Sequence, residues 1–84
     1  NILPKDERVS DFKKINELRR GLRLRTIRND YYLEREEFGK LFSPSISKWS
    51  IDRYENGRDI PNTNRIIQYA YIGNLSLEFL IYGI

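Results

Sequence analysis

Residues 47–61 read SKWSIDRYENGRDIP, and the fold turns on how this stretch is taken. Ser47 suits the start of a helix, because its hydroxyl can accept from a free backbone N–H of the first turn. Asn56-Gly57 suits the end, since both residues tolerate the left-handed backbone that closes a helix. At 100° per residue, Ile51 and Tyr54 fall on one face and mark the side turned to a core. Trp49 and Arg53, four apart, fall almost opposite, with Lys48 and Asp52 between. A large aromatic turned away from a core forfeits its burial. Either Trp49 folds back on the SPSI loop or stacks on Arg53 as a cation–π pair, or this face meets a partner.

Working outward, Pro61 stands where a further helix begins, over Asn62 to Ile72, with Ile66, Ile67 and Ala70 inward. Gly73-Asn74 closes it, and Ser76 caps a last short helix, LEFLIYG. Upstream, SPSIS breaks the pattern at Pro44, after the apolar set Leu33, Phe38, Leu41 and Phe42. Before that comes DFKKINELRRGLRLRTIRNDYY, with Ser10 as its expected N-cap. Phe12, Ile15, Leu18 and Leu22 share one face, while Leu24, Ile27 and Tyr31 share another, half a revolution away. The phase changes at Gly21, a poor helix-interior residue. Two helices meet there, or one helix shows a different apolar face on each half. Residues 1–9 read as an arm. Nothing alternates as a strand does, and the class is all-α: five short helices, with one more possible at the front.

Length and composition exclude much. One domain of 84 residues has one core to share. With no cysteine and no histidine, disulfides, thiolate metal sites, the commonest acid/base and the commonest zinc ligand are all absent. Glu34, Glu36 and Glu37 are close in sequence, but consecutive acids on a helix point apart, so no metal or catalytic site is read there. The expectation is a non-enzyme without cofactor. No apolar run approaches the roughly 20 residues of a membrane span. The start, NILPKDERVSD, turns polar too soon for a signal peptide, which leaves a soluble, cytoplasmic protein as the expectation. The absence of an initiator methionine reads as a trimmed chain or a fragment.

The formal charge is +3, and its distribution says more. From Asp11 to Asp30 there are seven Lys or Arg against three acids. Such a stretch meets nucleic acid, an acidic membrane or an acidic protein, or is a solvated face.

From Leu24 to Gly83, 60 of the 84 residues, the chain resembles the helix-turn-helix domain of the phage repressor/Cro (xenobiotic-response-element) family. The likeness rests on Leu24-Arg25-Thr26-Ile27-Arg28, on Leu33 to Gly39, on Ser47 to Gly57 followed by Pro61, and on Ser76 with Leu80-Ile81-Tyr82-Gly83. Gly39 stands where the family has a small residue at which two helices approach. The turn Ser43-Pro44-Ser45-Ile46-Ser47 is two residues longer than the family's, with Ile46 as the buried equivalent of its Val. The resemblance implies a compact five-helix repressor-like domain over 21–84, with an arm and possible extra helix over 1–20. It implies a cytoplasmic transcription regulator that occupies an operator as a homodimer.

It also implies residue roles. Ser47, Lys48, Trp49 and Ser50 would enter the major groove of double-stranded DNA, and Arg53 would face it one turn on. Arg35, Asn56 and Arg58 would contact the phosphate backbone. From the apolar patterns, Phe12, Ile15, Leu18 and Leu22, with Phe79 and Tyr82 on the tail, are the candidate dimer surface; the alternative is that they complete the core. A second function class stands beside the first. On the same fold, Trp49 would be the hot spot for a protein, as in an antitoxin or inhibitor.

Overall fold

The computed structural model describes the backbone of residues 5–84 and the side chains of residues 16–84. The described chain is all-helical, with α1 (Lys5–Asp30), α2 (Arg35–Gly39), α3 (Lys48–Glu55), α4 (Thr63–Gly73) and α5 (Leu77–Tyr82). Residues 1–4 of the expected arm lie outside the described residues. Residues 5–9 are helical, so Ser10 lies inside α1 and is not its cap.

The helix α1 runs through Gly21 without a break. A Cβ at Gly21 would stand 2.5 Å from the Glu55 carbonyl oxygen and 2.9 Å from that of Tyr54. The glycine therefore lets α1 lie directly on the last turn of α3. The phase change is a change of neighbours, not of helix. Beyond Gly21, Leu24 and Ile27 are buried. Before and beside it, Leu18 and Leu22 remain 51% and 58% exposed, while the Phe12 and Ile15 side chains lie outside the described residues.

The capping chemistry explains where the short helices start and stop. The hydroxyls or amide oxygens of Ser47, Asn62 and Ser76 accept from backbone N–H groups three residues on, opening α3, α4 and α5. Pro61 is thus one residue before a cap rather than at the first helical position. At the end of α3, Gly57 adopts φ +71°, its N–H donates to Tyr54 O, and that of Arg58 donates to Arg53 O. This pair of bonds is a Schellman closure, which satisfies carbonyls that the helix leaves open. Asn74, and not Gly73, takes the left-handed position after α4.

Between α2 and α3 the chain turns over residues 40–47. Ile46 N donates to Gly39 O (2.9 Å), and a Cβ on Gly39 would collide with the Ile46 carbonyl oxygen. Gly39 is small for the returning loop, not for a second helix. Gln68 of α4 holds the same loop from below: Ser43 N donates to its Oε1 (2.8 Å), and its Nε2 donates to Ser43 O (3.1 Å).

Phe38, Phe42 and Tyr69 form the centre of the core, with ring centroids 4.8–5.8 Å apart. Ile46, Ile51, Tyr54, Ile66, Ala70 and Leu80 pack around them. Ile67, expected inward, is exposed, and Tyr69 occupies the buried face instead. The Tyr69 hydroxyl is buried without a hydrogen-bond partner among the described residues.

Two substitutions check this packing by urea unfolding. Gly21→Ala, which on an open helix face would stabilise by about 1 kcal/mol, will destabilise by about 1–3 kcal/mol through the clash with α3. Tyr69→Phe will leave the fold as stable or raise it by about 1 kcal/mol, because an unsatisfied hydroxyl is removed from the core. A loss above that size would mean that the hydroxyl has a partner.

Candidate functional site

The exposed face of α3 is built from its two ends. Ser47 Oγ accepts from Ser50 N (3.2 Å), which starts the helix at Lys48 and leaves Lys48, Trp49 and Arg53 on the outside. Ile51 and Tyr54 are buried on the opposite side. Trp49 is 66% exposed. Its cation–π partner is Lys48, whose Nζ lies 5.0 Å from the ring centroid, and not Arg53. Arg53 donates instead to Ser50 Oγ (3.2 Å) and pairs with Asp59 at 3.6 Å.

The α3 helix is anchored by one carboxylate. Glu55 is buried, with its side chain fully covered, and three arginines reach it. Arg28 of α1 grips both oxygens, donating Nε–H to Oε2 (2.6 Å) and Nη2–H to Oε1 (3.0 Å). Arg35, the first residue of α2, donates Nε–H to Oε1 at 3.2 Å. Arg25 Nε stands 3.5 Å from Oε1, in ion-pair range but without a hydrogen bond. The hydrogen bond to Glu55 raises the pKa of Arg28 above the ordinary guanidinium value, against the opposing effect of burial.

Several expected site residues therefore have structural roles as well. Arg35 is held by Glu55 and lies 3.5 Å from Asp52. Asn56 caps α3: its Nδ2 donates to Asp52 O (2.9 Å), and its Oδ1 accepts from Arg25 (3.3 Å). Arg58 is exposed beyond the Schellman closure. Among the cations named for this face, Lys48 and Arg58 carry no ion pair to a described residue. Part of the basic stretch of α1 is committed inside the fold, while Arg19 is exposed and the Lys13 and Lys14 side chains lie outside the described residues. Arg25 and Arg28 serve Glu55, and Arg23 closes the end of α5, donating to Leu80 O (2.9 Å) and Ile81 O (3.0 Å). Burial, and then the neighbouring Arg20 and Arg19, lower the pKa of Arg23.

Two open clefts flank the Lys48–Trp49 pair. One, of about 440 Å³, is lined by Glu34, Arg35, Glu36, Lys48, Trp49 and Asp52. The other, of about 380 Å³, runs from Glu36 and Lys40 across Ser45 to Ser47 and the same pair. The structure thus brings Arg35, Ser47, Lys48 and Trp49 onto one surface, together with acids that the sequence reading left out of the site. Lys40 on this surface pairs with Glu37 at 3.3 Å. Among the described residues, no group of three or more His, Cys, Asp or Glu could hold a metal ion. No described helix is long and apolar enough to cross a membrane. The dimer candidates Leu18, Leu22, Phe79 and Tyr82 are exposed.

Sequence reasoning missed the role of Glu55, although a signal was present. On the α3 wheel Glu55 lies only about 40° from Ile51, on the core side. A lone acid there needs cations, but the sequence does not say which of the 15 Lys and Arg supply them. Compared with known proteins, the chain matches no family model, no curated protein and no solved structure.

Glu55→Gln keeps the shape and removes the charge that three arginines share. It will cost about 3–5 kcal/mol in urea unfolding, the usual consequence of breaking a buried ion pair from one side. Asp52→Asn, on a half-exposed carboxylate, will cost less than about 1 kcal/mol. Equal costs for the two would remove Glu55 from its central place.

Proposed function

We propose that this protein binds double-stranded DNA and regulates transcription, with α3 as the helix that enters the major groove. The observation that carries the reading is Trp49. It is two-thirds exposed on a short helix whose other face is locked into the core, beside Lys48 and Arg53. An arginine can read guanine and an aromatic can lie on a thymine methyl. The order of motifs that resembles the phage repressor/Cro family supports the same reading, with a repressor-like helix-turn-helix formed by α2, the 40–47 turn and α3. In this reading Ser47 and Ser50 accompany Lys48 and Trp49 at the base edges. Asn56, Arg58 and the exposed part of Arg35 lie along phosphates. The chain acts as a homodimer on an operator and excludes polymerase by occupying the site. Leu18 and Leu22, exposed along α1, and Phe79 and Tyr82, exposed on α5, are the surfaces proposed for pairing.

One observation favours the second reading, a protein partner docked on Trp49. Glu34, Glu36 and Asp52 share its cleft, and most cations nearby are already matched. Salt separates the two. With Arg35 and Arg58 as the cations along phosphates, DNA affinity should fall by roughly 2 log units per log unit of salt for each subunit.

Selection from a random duplex pool, followed by sequencing, tests the proposal. An inverted repeat with half-sites about one helical turn apart is expected. Trp49→Ala and Arg53→Ala will each weaken that site by about 1–3 kcal/mol and leave urea stability within about 0.5 kcal/mol. A pool that stays random would sink the DNA reading and leave Trp49 to a protein.

A further inference from the structure

On α1, Arg20 is only 8% exposed, yet among the described residues it makes no hydrogen bond and no ion pair. None of its nitrogens is sealed from solvent without a partner, as Arg25 Nε and the Tyr69 hydroxyl are, so a ligand in the adjoining cleft would replace water on the guanidinium. Arg20 lines a cleft of about 260 Å³ that is otherwise mostly apolar, with Ile60, Ile66, Ile67, Leu77 and Ile81 around it and Thr63 as the second polar side chain. Ile60, Ile67 and Leu77 each remain more than two-fifths exposed at this cleft, so an apolar rim surrounds one cation. Arg19 and Arg23 lie close enough to Arg20 to act on the same field. Arg23, however, is committed to the α5 carbonyls. Of the three, only Arg20 lines the cleft, which makes it the donor.

We infer that this cleft, between α1, the 60–67 segment and α5, is a binding site for a small amphiphilic carboxylate. The carboxylate accepts from the Arg20 guanidinium, whose planar fork suits two parallel hydrogen bonds. The apolar tail covers Ile60, Ile67 and Leu77. The volume lies just below the roughly 300–1,000 Å³ of sites for drug-sized ligands, which points to a short chain rather than a long fatty acid or a sterol. The site is independent of Trp49 and of the DNA proposal, since none of its lining residues belongs to the exposed face of α3.

Titration calorimetry on the full chain with octanoate, octanol and octylamine tests this inference. Octanoate is expected to bind saturably with one site per chain, about tenfold or more tighter than octanol, as a charge-assisted pair requires. Octylamine is expected to show no binding. Arg20→Gln should bring octanoate to the octanol level, with circular dichroism confirming that the variant is folded. Should that variant fail to fold, Ile67→Asp serves instead: it alters an exposed position and should abolish binding by repelling the carboxylate. Equal affinity for octanoate and octanol, no saturable octanoate binding, or unchanged binding by the folded variant tested would each overturn the assignment.

Discussion

Glu55 is the point on which the rest of the structure depends. A carboxylate at the end of an eight-residue helix is fully covered and shared by arginines from α1 and α2. An isolated charge in that position would be expelled or neutralised; three guanidiniums and their hydrogen bonds make it tenable. The interaction is also directional. Arg28 grips both oxygens, so the end of α3 is set in both position and rotation relative to α1. Gly21 brings the α1 backbone against the same turn, where a side chain would have held it off. One ionic hub and one missing side chain thus decide how the Trp49 face is presented.

This arrangement changes the meaning of the positive charge. A basic α1 invites the idea of a strip for phosphates. Three of its arginines instead serve groups within the fold: a carboxylate for Arg25 and Arg28, and open helix carbonyls for Arg23. What remains exposed around α3 is a mixed surface, with an aromatic at its centre and acids at its edge. Such a surface gains specificity from shape and from a few directed contacts more than from net charge.

Much of the local structure was legible. Ser47, Asn62 and Ser76 cap helices because short polar side chains reach free N–H groups, an effect that needs no distant residue. Gly57 ends α3 because it accepts φ above zero, and the loss of phase around residue 21 was visible in the apolar spacing. Its cause was not. A break in periodicity is the same whether the helix stops or changes neighbours, and only the position of α3 tells them apart. Ile67 and Tyr69 were exchanged for a related reason. Neighbouring apolar residues on one helix compete for the core, and the aromatic pocket of Phe38 and Phe42 selects the ring that fills it.

By itself the sequence determined the helical class, the helix-ending residues and the outward face of α3, because periodicity and capping act over a few residues. The tertiary structure decided that α1 is continuous, that Glu55 collects Arg25, Arg28 and Arg35, and that Arg20 faces an apolar cleft. Those pairings join residues far apart in the chain. Each arginine had several partners within the reach of its composition, and only packing chose among them.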